Sequence, residues 1–162
     1  MRASGQFRTD TVRETLRITR LWSTASEAIL DQAAERAEIR RYDDGELLIR
    51  QGDRCEATHV VIEGRVEVRV LAEDGEETTL CSLGERESIG EMSLLTGEPA
   101  SANVVAVGKV ATLAIRDEDF TEVVSSDPEL LRQVLRLLST RLSQSDVTVG
   151  VAEGKQANLA RL

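Results

Sequence analysis

Between Glu38 and Arg116 the chain is cut into short β-prone runs by glycine and aspartate signals, and this pattern constrains the fold more than any other feature. The runs are Glu46 to Ile49, Thr58 to Ile62, Val66 to Val70, Thr78 to Leu83, Asn103 to Val107 and Val110 to Ile115. Glu63-Gly64 and Glu73-Asp74-Gly75-Glu76 sit where tight turns are required, and glycine supplies the positive φ that such turns often need. Strands this short and this regularly spaced predict a small antiparallel barrel or sandwich rather than a parallel α/β sheet.

Helical patterns flank this region. From Asp10 to Trp22 the apolar residues Val12, Leu16, Ile18, Leu21 and Trp22 fall near helical spacing, with Asp10 or Thr11 placed to cap. Ser26 caps a second helix whose face carries Ile29, Leu30, Ala33, Ala34 and Ala37. After the strands, Asp117 starts a short helix through Val124, and Asp127-Pro128-Glu129 opens a longer one, with proline at the first helical position. The long helix, Leu130 to Ser145, carries two apolar stripes: Leu131, Leu135, Leu138 and Leu142, and beside it Leu130, Val134 and Leu137. One stripe is enough to bury a helix against its own domain. The second fits either tighter packing or a face shared with a partner chain or a ligand lid. The expected organisation is an N-terminal tail over 1–9, one domain over 10–146 (helical 10–37, strands 38–116, helices 117–146) and a polar tail or linker over 147–162.

Composition narrows the function. A chain of 162 residues makes one ordinary domain, and 41% hydrophobic with 30% charged residues suits a folded one. The formal net charge of −9 argues against nucleic acid or anionic membrane as a bulk partner. No apolar run approaches a membrane span, and Met1-Arg2-Ala3-Ser4-Gly5-Gln6 is not followed by a signal-like stretch, so a cytoplasmic location is expected. Cys55 and Cys81 match neither a CxxC motif nor a disulfide framework and read as reduced thiols. The lone histidine, His59, reads as a strand residue satisfied by its neighbours, so no metal site and no histidine relay are expected. With no Gly-x-Ser-x-Gly elbow, HExxH pair, Walker loop or Ser/His/Asp set, the chain does not read as an enzyme, and no cofactor is expected.

The most informative stretch runs from Gly84 to Val104. It reads as a strand end, Gly90, a short helical turn of Met92 to Leu95, and a loop broken by Gly97 and Pro99. Its backbone amides would favour an anion, Gly90 would allow close approach, and Glu91 could accept from a sugar hydroxyl. Spacing alone fits better a plain connection between two strands whose Leu94 and Leu95 plug the barrel.

Here the sequence resembles the cyclic nucleotide-binding domain family, found in catabolite-activator-type regulators, cyclic-nucleotide-gated channels and protein kinase regulatory subunits. The resemblance covers about Leu16 to Leu142. It rests on Tyr42-Asp43-Asp44-Gly45-Glu46-Leu47-Leu48-Ile49-Arg50-Gln51-Gly52-Asp53, Val60-Val61-Ile62-Glu63-Gly64-Arg65-Val66-Glu67-Val68 and Gly90-Glu91-Met92-Ser93-Leu94-Leu95, in that order. It implies an α+β fold: an antiparallel β-roll of the double-stranded β-helix or jelly-roll type, with N-terminal helices before it and B- and C-type helices after it. The Gly-Glu-x-x-Leu-Leu segment would be the phosphate-binding cassette. Glu91 would then accept from the ribose 2′-hydroxyl, and Gly90, Met92 and Ser93 would line the sugar-phosphate site. Ala100, Ser101 and Ala102 would complete it. The family's cassette ends Pro-Arg-x-Ala-x-Val, its arginine pairing with the cyclic phosphate, and Ala100 stands at the arginine's position. Losing one partner of a buried charge pair costs about 2–5 kcal/mol. Arg65, Arg136 and Arg141 are the candidates to bring a charge from elsewhere.

The resemblance implies a non-catalytic sensor module whose ligand, cyclic AMP or cyclic GMP, is coupled to movement of the C-terminal helix. The alternative is a degenerate domain that serves oligomerisation or protein interaction without nucleotide. In either case Leu131, Leu135, Leu138 and Leu142 would be the face for a homodimer or an attached effector. No helix-turn-helix with a basic recognition helix follows Asp146 in these residues, so DNA binding by this chain is not expected.

Overall fold

The computed structural model describes residues 2–151, and the side chains of residues 10–137, 139 and 140. Two helices, α1 (Arg2–Arg17) and α2 (Glu27–Arg36), lead into a six-stranded sheet. The strands are β1 (Glu38–Tyr42), β2 (Leu47–Ile49), β3 (Ala57–Leu71), β4 (Glu77–Leu83), β5 (Ser88–Ile89) and β6 (Asn103–Arg116). Helix α3 (Glu91–Thr96) sits between β5 and β6, and α4 (Asp117–Ser125) and α5 (Pro128–Val151) follow the sheet. This is the α+β roll with flanking helices that the sequence predicts. Among the described residues no helix is long and apolar enough to cross a membrane.

The spine of the roll is one antiparallel pair, β3 with β6, in register from Ala57↔Arg116 to Arg69↔Asn103. Each long strand is then extended differently at its two ends. β3 pairs with β5 through His59 and Val60 and with β4 through Val66 to Leu71. β6 pairs with β2 near its start and with β1 near its end. The two runs flanking Gly64, one on each side and expected as separate strands joined by a tight turn, are therefore halves of β3. Glu63 and Gly64 form an irregularity in the pairing with β6, not a hairpin. Gly64 has φ 86, and a Cβ there would lie 2.3 Å from the carbonyl oxygen of Lys109, so only glycine lets β6 run this close. The second expected turn holds: Gly75 has φ 88, and its N–H donates to Ala72 O (2.9 Å) between β3 and β4.

The helix ends also differ from the periodicity. α1 begins at Arg2 and stops at Arg17, because Thr19 folds back with both N–H and Oγ1 donating to Leu16 O (3.0 and 2.6 Å). Leu21 and Trp22 thus enter the core from a turn rather than from a helix face. α2 is capped as expected, Ser26 Oγ accepting from Ile29 N–H (3.3 Å), and α5 starts with Asp127 Oδ1 accepting from Glu129 N–H (2.9 Å). α5 continues to Val151, five residues into the stretch read as tail; no proline or glycine interrupts it before Gly150. Residues 152–162 of that stretch, and the side chains of Leu138 and Leu142, lie outside what the structure describes.

Alternation along β3 sends Val60 and Val61 to opposite faces and so to two separate cores. On the helix side, Val60, Leu113 and Ile115 pack with Leu16, Trp22, Leu30, Phe120, Leu130 and Val134; the rings of Trp22 and Phe120 meet edge-on, centroids 6.0 Å apart. Inside the roll the core is made of Val61, Val66, Val68, Ile89, Ala102, Val104, Ala106 and Val110.

Candidate functional site

The small side chains of the roll interior leave a cavity of about 360 Å³. Val68, Ile89 and Val104 form its floor, α3 and the loop after it form one wall, and Leu137 and Thr140 of α5 reach it from the other side. All seven residues singled out from the sequence, Gly90, Glu91, Met92, Ser93, Ala100, Ser101 and Ala102, line it.

Local constraints explain how they come together. Gly90 has φ 91, and a Cβ on it would meet Ala57 O at 3.1 Å and Ile49 Cδ1 at 3.3 Å, so the chain passes β3 and β2 only as glycine. The turn this permits delivers Glu91 as the first residue of α3, with 3% of its surface exposed. Across the cavity, Ala100 N–H donates to Asp53 O (2.9 Å), while Gly52 N–H donates to Ala100 O (2.8 Å). The loop before β6 is thereby fastened to the Gln51-Gly52-Asp53 loop, and the Ala100 amide is committed to the protein. Ala100 and Ala102 are buried and Ser101 is exposed. Leu94 and Leu95 turn away from the cavity and pack on the helix-side core.

The polar groups of the cavity come from several elements. Glu87, Ser88 and Arg86 stand on the turn into β5, and Arg20 comes from the segment between α1 and α2. Neither arginine was among those named from sequence. Arg65 lies exposed on β3 opposite Val107, Arg136 is exposed on α5, and neither lines the cavity; the Arg141 side chain is outside the described residues. Only long-range closure brings residue 20 to the cavity, whereas residue 86 lies within the Gly84 to Val104 stretch and its positive φ shows only in the fold. Glu98, close to the cassette in sequence, is exposed and does not line the cavity.

Cys55 and Cys81 are free thiols on the same cavity. Burial pushes both thiols above their ordinary pKa, partly offset for Cys55 by a hydrogen bond with Ser93, so thiolate chemistry is disfavoured at both. His59 is 2% exposed, its Nδ1 3.1 Å from Thr112 Oγ1, and burial with Arg40 nearby lowers its pKa to about 4. Among the described residues no three His, Cys, Asp or Glu side chains gather to hold a metal ion.

A glycine-turned short helix with a buried glutamate, set on a hollow roll, matches a known domain in sequence as well as in shape. The family model described as "Cyclic nucleotide-binding domain" matches residues 39–127. The chain belongs to the cyclic nucleotide-binding domain family. Its similarity to the "Cyclic AMP receptor protein" of Thermus thermophilus is 32% identity over 128 residues, covering 79% of this chain and 59% of that protein. The "cAMP-dependent protein kinase type II regulatory subunit" of Drosophila melanogaster is 38% identical over 78 residues, covering 48% of this chain and 20% of that one. The chain thus spans less than two thirds of the length of these curated relatives. Among solved structures, the Thermus thermophilus catabolite activator protein superposes with a TM-score of 0.74 at 31% identity, covering 82% of this chain and 62% of that chain. The sensor domain of the regulator DNR from Pseudomonas aeruginosa shares the fold, with a TM-score of 0.78 at 22% identity over 90% of this chain and 96% of that one.

Proposed function

We propose that this domain is a non-catalytic sensor that binds a cyclic nucleotide, cyclic AMP or cyclic GMP, in the roll cavity and signals through α5. The observation that carries this reading is the convergence of Gly90 to Ser93 and Ala100 to Ala102 on one cavity, with the buried Glu91 carboxylate on its wall. A cavity of about 360 Å³ is within the range that small-molecule sites occupy. Glu91 is placed to accept from a sugar hydroxyl. Leu137 and Thr140 put α5 in contact with whatever fills the space, so a ligand that binds better to one position of α5 shifts the helix towards that position. Isothermal titration with cyclic AMP and cyclic GMP tests this. Micromolar or tighter binding, lost in Glu91→Ala, supports it; no binding at millimolar nucleotide overturns it.

A second reading, an interaction module that no longer takes nucleotide, is favoured by Ala100, which stands where the family resemblance places arginine. The exposure of Leu131 (43%) and Leu135 (53%) on α5 supplies the face it needs. Binding gained only in Ala100→Arg would select this reading over the first.

A further inference from the structure

The two arginines on the cavity are the chain's least expected residues there. Arg86 has φ 74, the left-handed region that a bulky side chain rarely adopts, and it is the one non-glycine residue with positive φ among the described residues. Nothing at this turn relaxes it. Arg86 N–H donates to Val61 O (2.8 Å), and Val61 N–H donates to Glu87 O (3.0 Å), so β3 clamps the backbone on both sides of the strained residue. A glycine would satisfy the same turn without strain. A backbone held against its preference points to a purpose for the side chain.

That side chain and Arg20 also stand outside the ion-pair network. Among the described residues, carboxylates hold guanidinium groups across the surface, as in Arg13 with Asp31 (3.0 Å), Arg36 with Asp119 (3.4 Å) and Arg69 with Glu67 (3.0 Å). None is within ion-pair distance of Arg20 or Arg86. The cavity also carries Glu87 and Glu91, so its lining is balanced in charge; what sets the two exposed arginines apart is that neither has an ion-pair partner among the described residues. They come to the cavity from separate elements, the α1–α2 connection and the β4–β5 turn, and guanidinium is the side-chain group best matched to the oxygens of a phosphate.

We propose that Arg86 and Arg20 form the anion clamp of this cavity, holding the phosphate of the bound nucleotide in place of a cassette arginine. The clamp rests on the cyclic nucleotide reading above and assigns the charge that reading lacks. Arg20 also ties the clamp to α5, since Gln133 Nε2 donates to its carbonyl (3.1 Å).

The test is titration of the 162-residue chain and its Arg86→Gly, Arg86→Lys and Arg20→Gln variants with cyclic AMP and cyclic GMP, with Tm measured for each. Arg86→Gly and Arg20→Gln should each weaken binding about 10- to 100-fold. Arg86→Lys, which keeps the charge, should retain more affinity than Arg86→Gly. Because glycine relieves the strain, Arg86→Gly should melt about 2–4 °C above the parent chain, a combination that a merely structural residue cannot give. Unchanged affinity in either charge-removing variant, with binding still lost in Glu91→Ala, overturns the clamp and leaves the sensor reading standing. A lower Tm together with weaker binding in Arg86→Gly makes residue 86 structural and also overturns it. If the parent chain binds neither nucleotide, the sensor reading itself has failed and the clamp falls with it.

Discussion

The two faces of the β3–β6 ribbon carry cores of opposite character. Towards the helices, Trp22, Phe120, Leu16 and Leu30 interlock, all 1% exposed or less. Inside the roll, valines and alanines of similar burial surround a hollow with the buried Glu91 on its wall, while His59 and Thr112 are buried together between β3 and β6. The same ribbon thus has a filled side that holds the domain together and a hollow side open to a ligand. Stability and binding are separated by the direction in which alternate residues of one strand point.

The largest effect should come from the filled side. Phe120→Ala removes a ring packed edge-on against Trp22 and should cost about 3–5 kcal/mol in urea denaturation. A loss below about 1 kcal/mol would mean that the helix side is no better packed than the roll, and the comparison would break.

The next effect belongs to the roll. Folded His59 stays neutral down to pH about 4, whereas in the unfolded chain it takes up a proton near its ordinary 6.5. Stability from this residue is therefore complete above pH 6.5 and is lost as pH falls towards about 4, by up to about 3 kcal/mol. The difference between the pH–stability curves of the parent chain and His59→Gln reads this directly. A difference that stays flat between pH 7 and 4 would show that His59 is hydrated when folded.

The smallest effect gives the sharpest contrast. Ala33, 0% exposed, faces the helix core, and Ala102, 3% exposed, faces the cavity. Ala33→Leu should destabilise by about 1–3 kcal/mol through overpacking. Ala102→Leu has room to enter and should change stability by less than about 1 kcal/mol while lowering nucleotide affinity. Equal costs in chemical denaturation would mean that the hollow is not available to a side chain.

Features set by near neighbours were legible in the sequence. Ser26 and Asp127-Pro128 mark helix starts and Gly75 marks a turn, because each acts through residues close by in the chain, whereas Gly90-Glu91 was legible through the family resemblance, since what requires glycine there is Ala57 and Ile49. The continuity of β3 through Gly64 was not legible, since what forbids a side chain there is a carbonyl on β6. β5 is two residues long and exists only as a partner of His59 and Val60. Arg20 and Arg86 were missed for the same reason, as their meaning lies in what the fold sets beside them.

The β3–β6 register has a consequence for how the domain forms. Pairing Ala57 with Arg116 closes a loop that contains β4, β5, α3 and every residue named in the cassette. Such non-local pairing makes folding slow compared with a helical bundle of this size. The cavity walls meet only once that loop has closed, so an unfolded chain offers nucleotide no partial site. Ligand added during refolding should then leave the folding rate nearly unchanged and slow unfolding instead.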